Sequence, residues 1–166
     1  PILIMTYYNP IFAMGEDKFI DFSARKGLDG VIIPDLPADE GKNFTLRAEK
    51  AGLYNISFIA PTTTLKRMKM ILRLAKGFIY YVSLTGVTGA RKSFPLRLKA
   101  NVRKLKRHTQ VPVCVGFGVS NRKQATRILE FADGVIVGSA VVSKIRENIG
   151  KHNLVKEVAG FVRVLR

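Results

Sequence analysis

Short apolar runs rich in β-branched residues recur along the chain: Ile2–Thr6, Gly30–Ile33, Asn55–Ala60, Phe78–Ser83, Val111–Gly116 and Gly134–Val137. Each is four to six residues long and bounded by Gly, Pro or polar residues. Nearly continuous apolar runs of this length predict parallel strands buried on both faces. Their starts lie between 22 and 34 residues apart, which leaves room for one crossover helix per strand. The intervening stretches carry helical signals. Leu98, Val102 and Leu105 recur at i, i+4 and i+7 among Arg97, Lys99, Arg103, Lys104 and Lys106, the stripe of an amphipathic helix. Ser120 is placed to cap a helix whose inner face is Ala125, Ile128 and Leu129. Asn153 is placed to cap the last helix, with Leu154, Val158, Phe161, Val162 and Leu165 facing inward. Gly27, Gly52 and Gly77 follow helical stretches where C-terminal caps belong.

Six β/α units admit an open doubly wound sheet or a (β/α)8 barrel lacking two units. A complete barrel takes about 250 residues, and the chain has 166. No linker, low-complexity tract or second domain interrupts it, so residues 1–166 read as one domain.

Composition narrows the function. No apolar run reaches the roughly 18 residues of a membrane span, and no secretory leader is evident. The single cysteine rules out an internal disulfide and a Cys-rich metal cluster. The formal charge is +16, unevenly spread: residues 1–61 hold six Lys/Arg and eight Asp/Glu, residues 62–166 hold 22 and four. Such a basic half raises nucleic acid as a partner. The charges fall on amphipathic helices and are not interleaved with aromatics, so a solvated basic helix layer is the preferred reading over a nucleic-acid surface.

Both architectures place ligands at the C-terminal ends of the strands. Three glycine-bearing segments follow strands there: Gly86-Val87-Thr88-Gly89, Gly116-Phe117-Gly118 and Gly138-Ser139-Ala140. Glycine lets backbone N–H groups approach an oxyanion, and a helix starting near Ser139 would aim its positive end at the same point. A phosphate cradle is the chemistry this equipment suits, as against three tight turns. Asp35, in Pro34-Asp35-Leu36-Pro37, follows a strand and either faces a ligand or organises its loop. Tyr7, Asn9 and Tyr80 stand at or near strand ends. His108 and His152 fall in basic surface helices, and Cys114 in an apolar strand that points to the core.

Taken together these segments resemble the tryptophan synthase α-subunit family. The matching stretches are Met5–Pro10, Ile33–Pro37, Ala60–Thr63, Gly77–Ser83, Gly86–Gly89, Val115–Ser120 and Ala132–Ala140, in order along the whole chain. The resemblance implies a (β/α)8 TIM barrel lacking its first two β/α units, with strands three to eight in residues 1–166. It implies a cytoplasmic lyase of tryptophan biosynthesis that cleaves indole-3-glycerol phosphate to indole and glyceraldehyde 3-phosphate. Gly89, Gly118, Gly138 and Ser139 would hold the phosphate. Tyr7, Ile32, Ile59, Tyr80, Thr88 and Phe117 would line the rest of the substrate site. Asp35 would lie near the subunit interface. The implied partner is a β subunit in an α2β2 heterotetramer; pyridoxal phosphate (PLP) belongs to that partner, and this chain itself calls for no cofactor or metal. By the same resemblance, the glutamate that acts as the family's general acid/base and the aspartate that binds the indole N–H precede the unit that opens at Pro1, so no residue here is assigned as catalytic. The alternatives are another phosphate-binding barrel enzyme, such as an isomerase of the same pathway, and a non-catalytic basic binding protein that retains the fold.

Overall fold

A computed structural model describes residues 1–82, 97–116 and 118–165. The chain divides into two compact units: residues 1–80 with 108–111, and residues 81–107 with 112–166.

The first unit holds β1 (Leu3–Met5), α1 (Tyr8–Met14), α2 (Glu16–Arg25), β2 (Gly30–Ile32), α3 (Lys42–Lys50), β3 (Tyr54–Asn55), β4 (Ser57–Ile59), α4 (Leu65–Leu74) and the start of β5 (Ile79–Val82). β1, β2 and β3 form a parallel sheet in that order, with Leu3 opposite Gly30 and Gly30 opposite Tyr54. Ile11, Phe19, Ile20, Val31, Ile33, Phe44, Ala48 and Leu53 pack into one buried cluster between this sheet and helices α1–α3. A polar network ties the same helices together outside it. The Tyr8 hydroxyl donates to Glu16 at 2.6 Å, and Arg47 of α3 pairs with both Glu16 and Asp17. The hydrogen bond to Glu16, with burial adding to it, raises the Tyr8 hydroxyl above its ordinary pKa. The Asp35 carboxylate accepts from the Tyr8 N–H at 2.9 Å and so ties the loop after β2 to the first turn of α1.

The second unit holds the rest of β5, then α5 (Leu98–Lys106), β6 (Val113–Gly116), α6 (Arg122–Leu129), β7 (Gly134–Ile136), α7 (Ser139–Arg146) and α8 (Leu154–Leu165). β6 and β7 are parallel, with Cys114 opposite Gly134 and Gly116 opposite Ile136. Leu98, Val102 and Leu105 bury the expected face of α5, and Ala125 and Ile128 that of α6.

Several expectations are corrected. The run Asn55–Ala60 is not one strand. β3 and β4 are separated at Ile56, whose N–H donates to Val31 while β4 joins a different sheet. β5 and β6 are not buried on both faces: in them the buried residues Ile79, Tyr81, Val113 and Val115 alternate with half-buried ones, whereas in β2 the successive residues Gly30 and Val31 are both buried. Cys114 is therefore half-buried, lying against Gly134 rather than in the core. Asn121, not Ser120, caps α6 by accepting from the Gln124 N–H, while Ser120 bonds to the Gln124 side chain. Leu129 is exposed, one residue past the face that α6 buries, and Val162 is exposed while Leu154, Val158, Phe161 and Leu165 of α8 are half-buried. Asn153 precedes α8 as placed, but its amide donates to Glu157 instead of capping an N–H. Gly27, Gly52 and Gly77 do take positive φ at helix ends.

One local device occurs in both units. Asp29 accepts from the Ile2 N–H at 2.6 Å through its carboxylate, and its own N–H donates back to the Ile2 carbonyl. Asp133 does the same to Val113, at 2.9 Å in both directions. The residue after each aspartate is glycine, because the neighbouring strand runs too close for a side chain. A Cβ on Gly30 would lie 2.7 Å from the Tyr54 carbonyl oxygen, and one on Gly134 would lie 2.6 Å from the Cys114 sulfur.

Gly30→Ala therefore meets backbone that cannot yield and is expected to destabilise the protein by about 1–3 kcal/mol. Gly134→Ala meets a thiol that can rotate and costs less; urea titrations of the two variants check the order. Burial opposes ionisation of Asp133, but the Lys106 ammonium and the Val113 N–H outweigh it and hold the carboxyl below the usual aspartate range. Its stabilising contribution is then present above the ordinary aspartate pKa and is lost as pH falls through the lowered folded value. Asp133→Asn should flatten the acid limb of the stability-against-pH curve, measured by thermal melting between neutral pH and about pH 2.

Candidate phosphate-binding site

The register of β6 with β7 brings Gly116 level with Ile136. The segments that leave these two strands therefore start side by side. One runs through Gly118, Val119 and Ser120 into α6, and the other through Gly138 directly into α7. Together they line an open cleft of about 830 Å³, with Ser143, Arg146 and Phe161 on its further walls. That volume suits a small organic phosphate better than a bare anion.

Each part of the cleft has a local cause. Gly118 sits at φ 62°, the left-handed region that a side chain would strain. The turn it makes is braced on its far side, where the Ser120 N–H donates to the Gln124 side chain at 2.8 Å and Asn121 caps α6. Gly138 occupies the N-cap of α7, and no atom lies within 4 Å of where its Cβ would be, so that side of the cleft is open space. The carbonyl of Gly138 accepts from Val141 and Val142, which closes the first helical turn. The leading N–H groups of α7 are left directed out of the helix end, beside the Ser139 hydroxyl. The first turn of α7 contains no acidic residue to compete for them. The macrodipole and these donors make the point attractive to an anion. Lys144, Arg146 and Glu147 also line the cleft, two cations and one carboxylate, and Lys144 is 3.8 Å from Glu157.

The structure thus brings together Gly118, Gly138 and Ser139. Gly89, Thr88 and Phe117 lie outside the described residues. Tyr7, Ile32, Ile59 and Tyr80 belong to the first unit. Each stands at or just beyond the C-terminal end of its strand, except Tyr80, which is inside β5. Tyr7 is 67% exposed, Ile32 is half-buried, and Ile59 is buried at 3% exposure, so Ile59 is part of the core of its unit. Tyr80 packs its ring against Phe58 at 4.9 Å between centroids, and burial raises its hydroxyl pKa. His108 and His152 are exposed, but they lie in turns, after α5 and before α8, rather than within helices. The sequence reading missed Ser143 and Arg146, although Ser139, Ser143 and Arg146 are spaced i, i+4 and i+7 and so share one face of a helix. Among the described residues no group of His, Cys, Asp or Glu is arranged to hold a metal ion, and no helix is long and apolar enough to cross a membrane.

A phosphate cradle at the ends of adjacent parallel strands, completed by a short helix N-terminus, defines the phosphate-binding class of β/α-barrel proteins. Comparison with known proteins names the family within that class. The family described as tryptophan synthase alpha chain matches residues 1–165, and this chain belongs to it. The tryptophan synthase alpha chain of Thermoanaerobacter pseudethanolicus is 41% identical over 166 residues, 100% of this chain and 63% of the relative. That of Carboxydothermus hydrogenoformans is 46% identical over 157 residues, 95% of this chain and 58% of the relative. Among solved structures, the alpha chain from Legionella pneumophila superposes with a TM-score of 0.88 at 35% identity, over 99% of this chain and 61% of that one. A chain of the tryptophan synthase a2b2 complex from Pyrococcus furiosus gives 0.89 at 38% identity, over 99% and 66%. The chain therefore spans about three fifths of the length of these relatives, and its fold is part of a (β/α)8 barrel. Neither a different barrel enzyme nor a non-catalytic basic protein gains support from these likenesses.

Ser139→Ala should weaken binding of glycerol 3-phosphate by about ten-fold, the worth of one hydrogen bond to a charged group. Gly138→Asp, which places a carboxylate in the open space of the cleft, should abolish it. Calorimetric titration of the purified chain checks both, and unchanged affinity in both variants would remove the cleft as the phosphate site.

Proposed function

We propose that this chain supplies the phosphate-binding part of a tryptophan synthase α subunit, which cleaves indole-3-glycerol phosphate to indole and glyceraldehyde 3-phosphate. The observation that carries the reading is the cleft where Gly118, Gly138, Ser139 and the start of α7 converge. A dianionic phosphate fits the converging N–H groups and the Ser139 hydroxyl, and the remaining volume accommodates the organic part of the substrate.

The reaction is a retro-aldol cleavage. The bond between indole C3 and the first glycerol carbon breaks, C3 gains a proton, and the hydroxyl on that carbon loses one to become the aldehyde. These transfers need a carboxyl within hydrogen-bond reach. A phosphate grip remote from the breaking bond holds ground state and transition state about equally, so it supplies affinity and little rate. General acid–base groups contribute typically about 10²–10⁴-fold, and no acid of this chain is assigned that role. The isolated 166-residue chain should accordingly bind a phosphate ligand yet turn over slowly or not at all. Indole release from the purified chain measures this, and turnover near that of a full-length relative overturns it.

Flanking roles follow from the same reading. Tyr7, Ile32, Tyr80, Thr88 and Phe117 would meet the indole and glycerol parts, with Ile59 supporting them from the core, and Gly89 would complete the phosphate cradle. The protein would work in the cytoplasm with a β subunit in an α2β2 assembly, the arrangement named for the Pyrococcus furiosus relative. PLP would be held by that β subunit, where it supplies the joining of indole to serine. This chain's part is to bind and orient the phosphate end of the substrate.

A further inference from the structure

Two segments line the head of the cleft, and they keep their shapes by different means. Gly138 and Ser139 are held by the helix they open. Gly118 to Ser120 have no helix of their own and are fixed at three separate points. Gly118 takes φ 62°. Val119 is buried at 2% exposure and anchors the segment in its unit. Ser120 is tied to the first turn of α6: its N–H donates to Gln124 Oε1 at 2.8 Å, and its hydroxyl donates to the same oxygen at 3.2 Å. Gln124 is held in turn, because its own N–H donates to the Asn121 side chain at 3.0 Å. Asn121 is the N-cap of α6, so Gln124 is the third residue of the helix, the position from which a glutamine reaches back over the helix start. In the usual reciprocal cap it would take the N–H of the capping residue. Here it takes that of the residue before, and that residue belongs to the cleft wall.

We infer that Gln124 is a positioning residue for the phosphate cradle, and that Ser120, although it lines the cleft, is not a ligand of the phosphate. The inference rests on the reading of the cleft as the phosphate site. A carboxamide oxygen accepts two hydrogen bonds, and Ser120 supplies two. The N–H and the hydroxyl of Ser120 are therefore both engaged, and an anion in the cleft has the Ser139 hydroxyl to bind instead. Gln124 is not part of the cleft wall; it acts through the segment it holds. Without its oxygen the stretch from Gly118 to Ser120 loses one of three fixings, and the ligand must order it on binding, which lowers affinity without abolishing it. The role calls for an acceptor at the end of a side chain of this length. Glutamate supplies one, and methionine, equally long, does not.

The test titrates the purified 166-residue chain and its variants with glycerol 3-phosphate, well below the melting temperature of each. Gln124→Met should bind about ten-fold more weakly, and the Ser120 amide should exchange its hydrogen about ten-fold faster while β6 and β7 keep their protection. Gln124→Glu accepts the same two bonds and adds a charge. In about 1 M salt, where that charge is screened within roughly 3 Å, its affinity should return to within about two-fold of the unsubstituted chain at the same salt. Ser120→Ala removes the longer of the two bonds and should cost about three-fold, short of the ten-fold expected for Ser139→Ala. Should Gln124→Met not fold, Gln124→Asn, whose shorter side chain falls short of Ser120, takes its place. A Gln124→Met chain that melts earlier yet binds as tightly, while Ser139→Ala binds weakly, overturns the inference and leaves the phosphate reading standing. Glutamate no better than methionine at high salt also overturns it, as does a Ser120→Ala loss equal to that of Ser139→Ala. If the unsubstituted chain binds no glycerol 3-phosphate, the phosphate reading falls and this inference with it.

Discussion

The architecture depends on how two neighbouring parallel strands are pinned at their starting ends. In each unit an aspartate takes both hydrogen-bonding groups of one residue on the adjacent strand, through its carboxylate and its own N–H. The glycine after it then lets the strands close to a distance at which a side chain would collide. Strand pairing is the only thing that sets which residues finish level at the far end. Pinning Val113 to Asp133 fixes Cys114 opposite Gly134, and two residues on it fixes Gly116 opposite Ile136. The two glycine-bearing segments then leave side by side, and the cleft between them exists. A slip of one residue would carry Gly118 and Gly138 out of register and turn every side chain of β7 to the wrong face.

Much of this was legible in the sequence because it rests on short-range pattern. The strand runs, the stripe Leu98, Val102 and Leu105, and the glycines at the ends of the last two strands are each local signals. The repeated Asp29-Gly30-Val31-Ile32 and Asp133-Gly134-Val135-Ile136 was also there to be read, as the trace of the strand-pinning device, but its meaning needs the partner strand. What was not legible depends on neighbours distant in sequence. Asn55–Ala60 reads as one strand because its apolar character is continuous, and only the pairing of Tyr54 and Asn55 with β2 divides it. Ser120 and Asn121 are both good caps by type, and the position of Gln124 decides between them. The tie of Tyr8, Glu16 and Arg47 across three helices has no pattern in the chain that announces it.

The uneven charge takes on a structural meaning through the helices that carry it. Buried faces of α5 and α6 are apolar, and their Lys and Arg residues are on the solvent side, where few acids are available: Lys99 meets Glu130 and Lys106 meets Asp133. An exposed pair such as Lys99 with Glu130 contributes little to stability, whereas Asp133 also accepts from the Val113 N–H. The larger effect of the basic residues is on association, since they make the outer layer repel its own kind and attract acidic partners.

The proposed phosphate cradle is made of peptide groups, a helix end and one hydroxyl, none of which gains or loses a proton at ordinary pH. A grip of this composition has no titration of its own in the neutral range. Any change of affinity between about pH 5 and 8 would then report the ligand's second phosphate ionisation, near pH 6, so the protein would serve as a fixed electrode against which its substrate's charge is read.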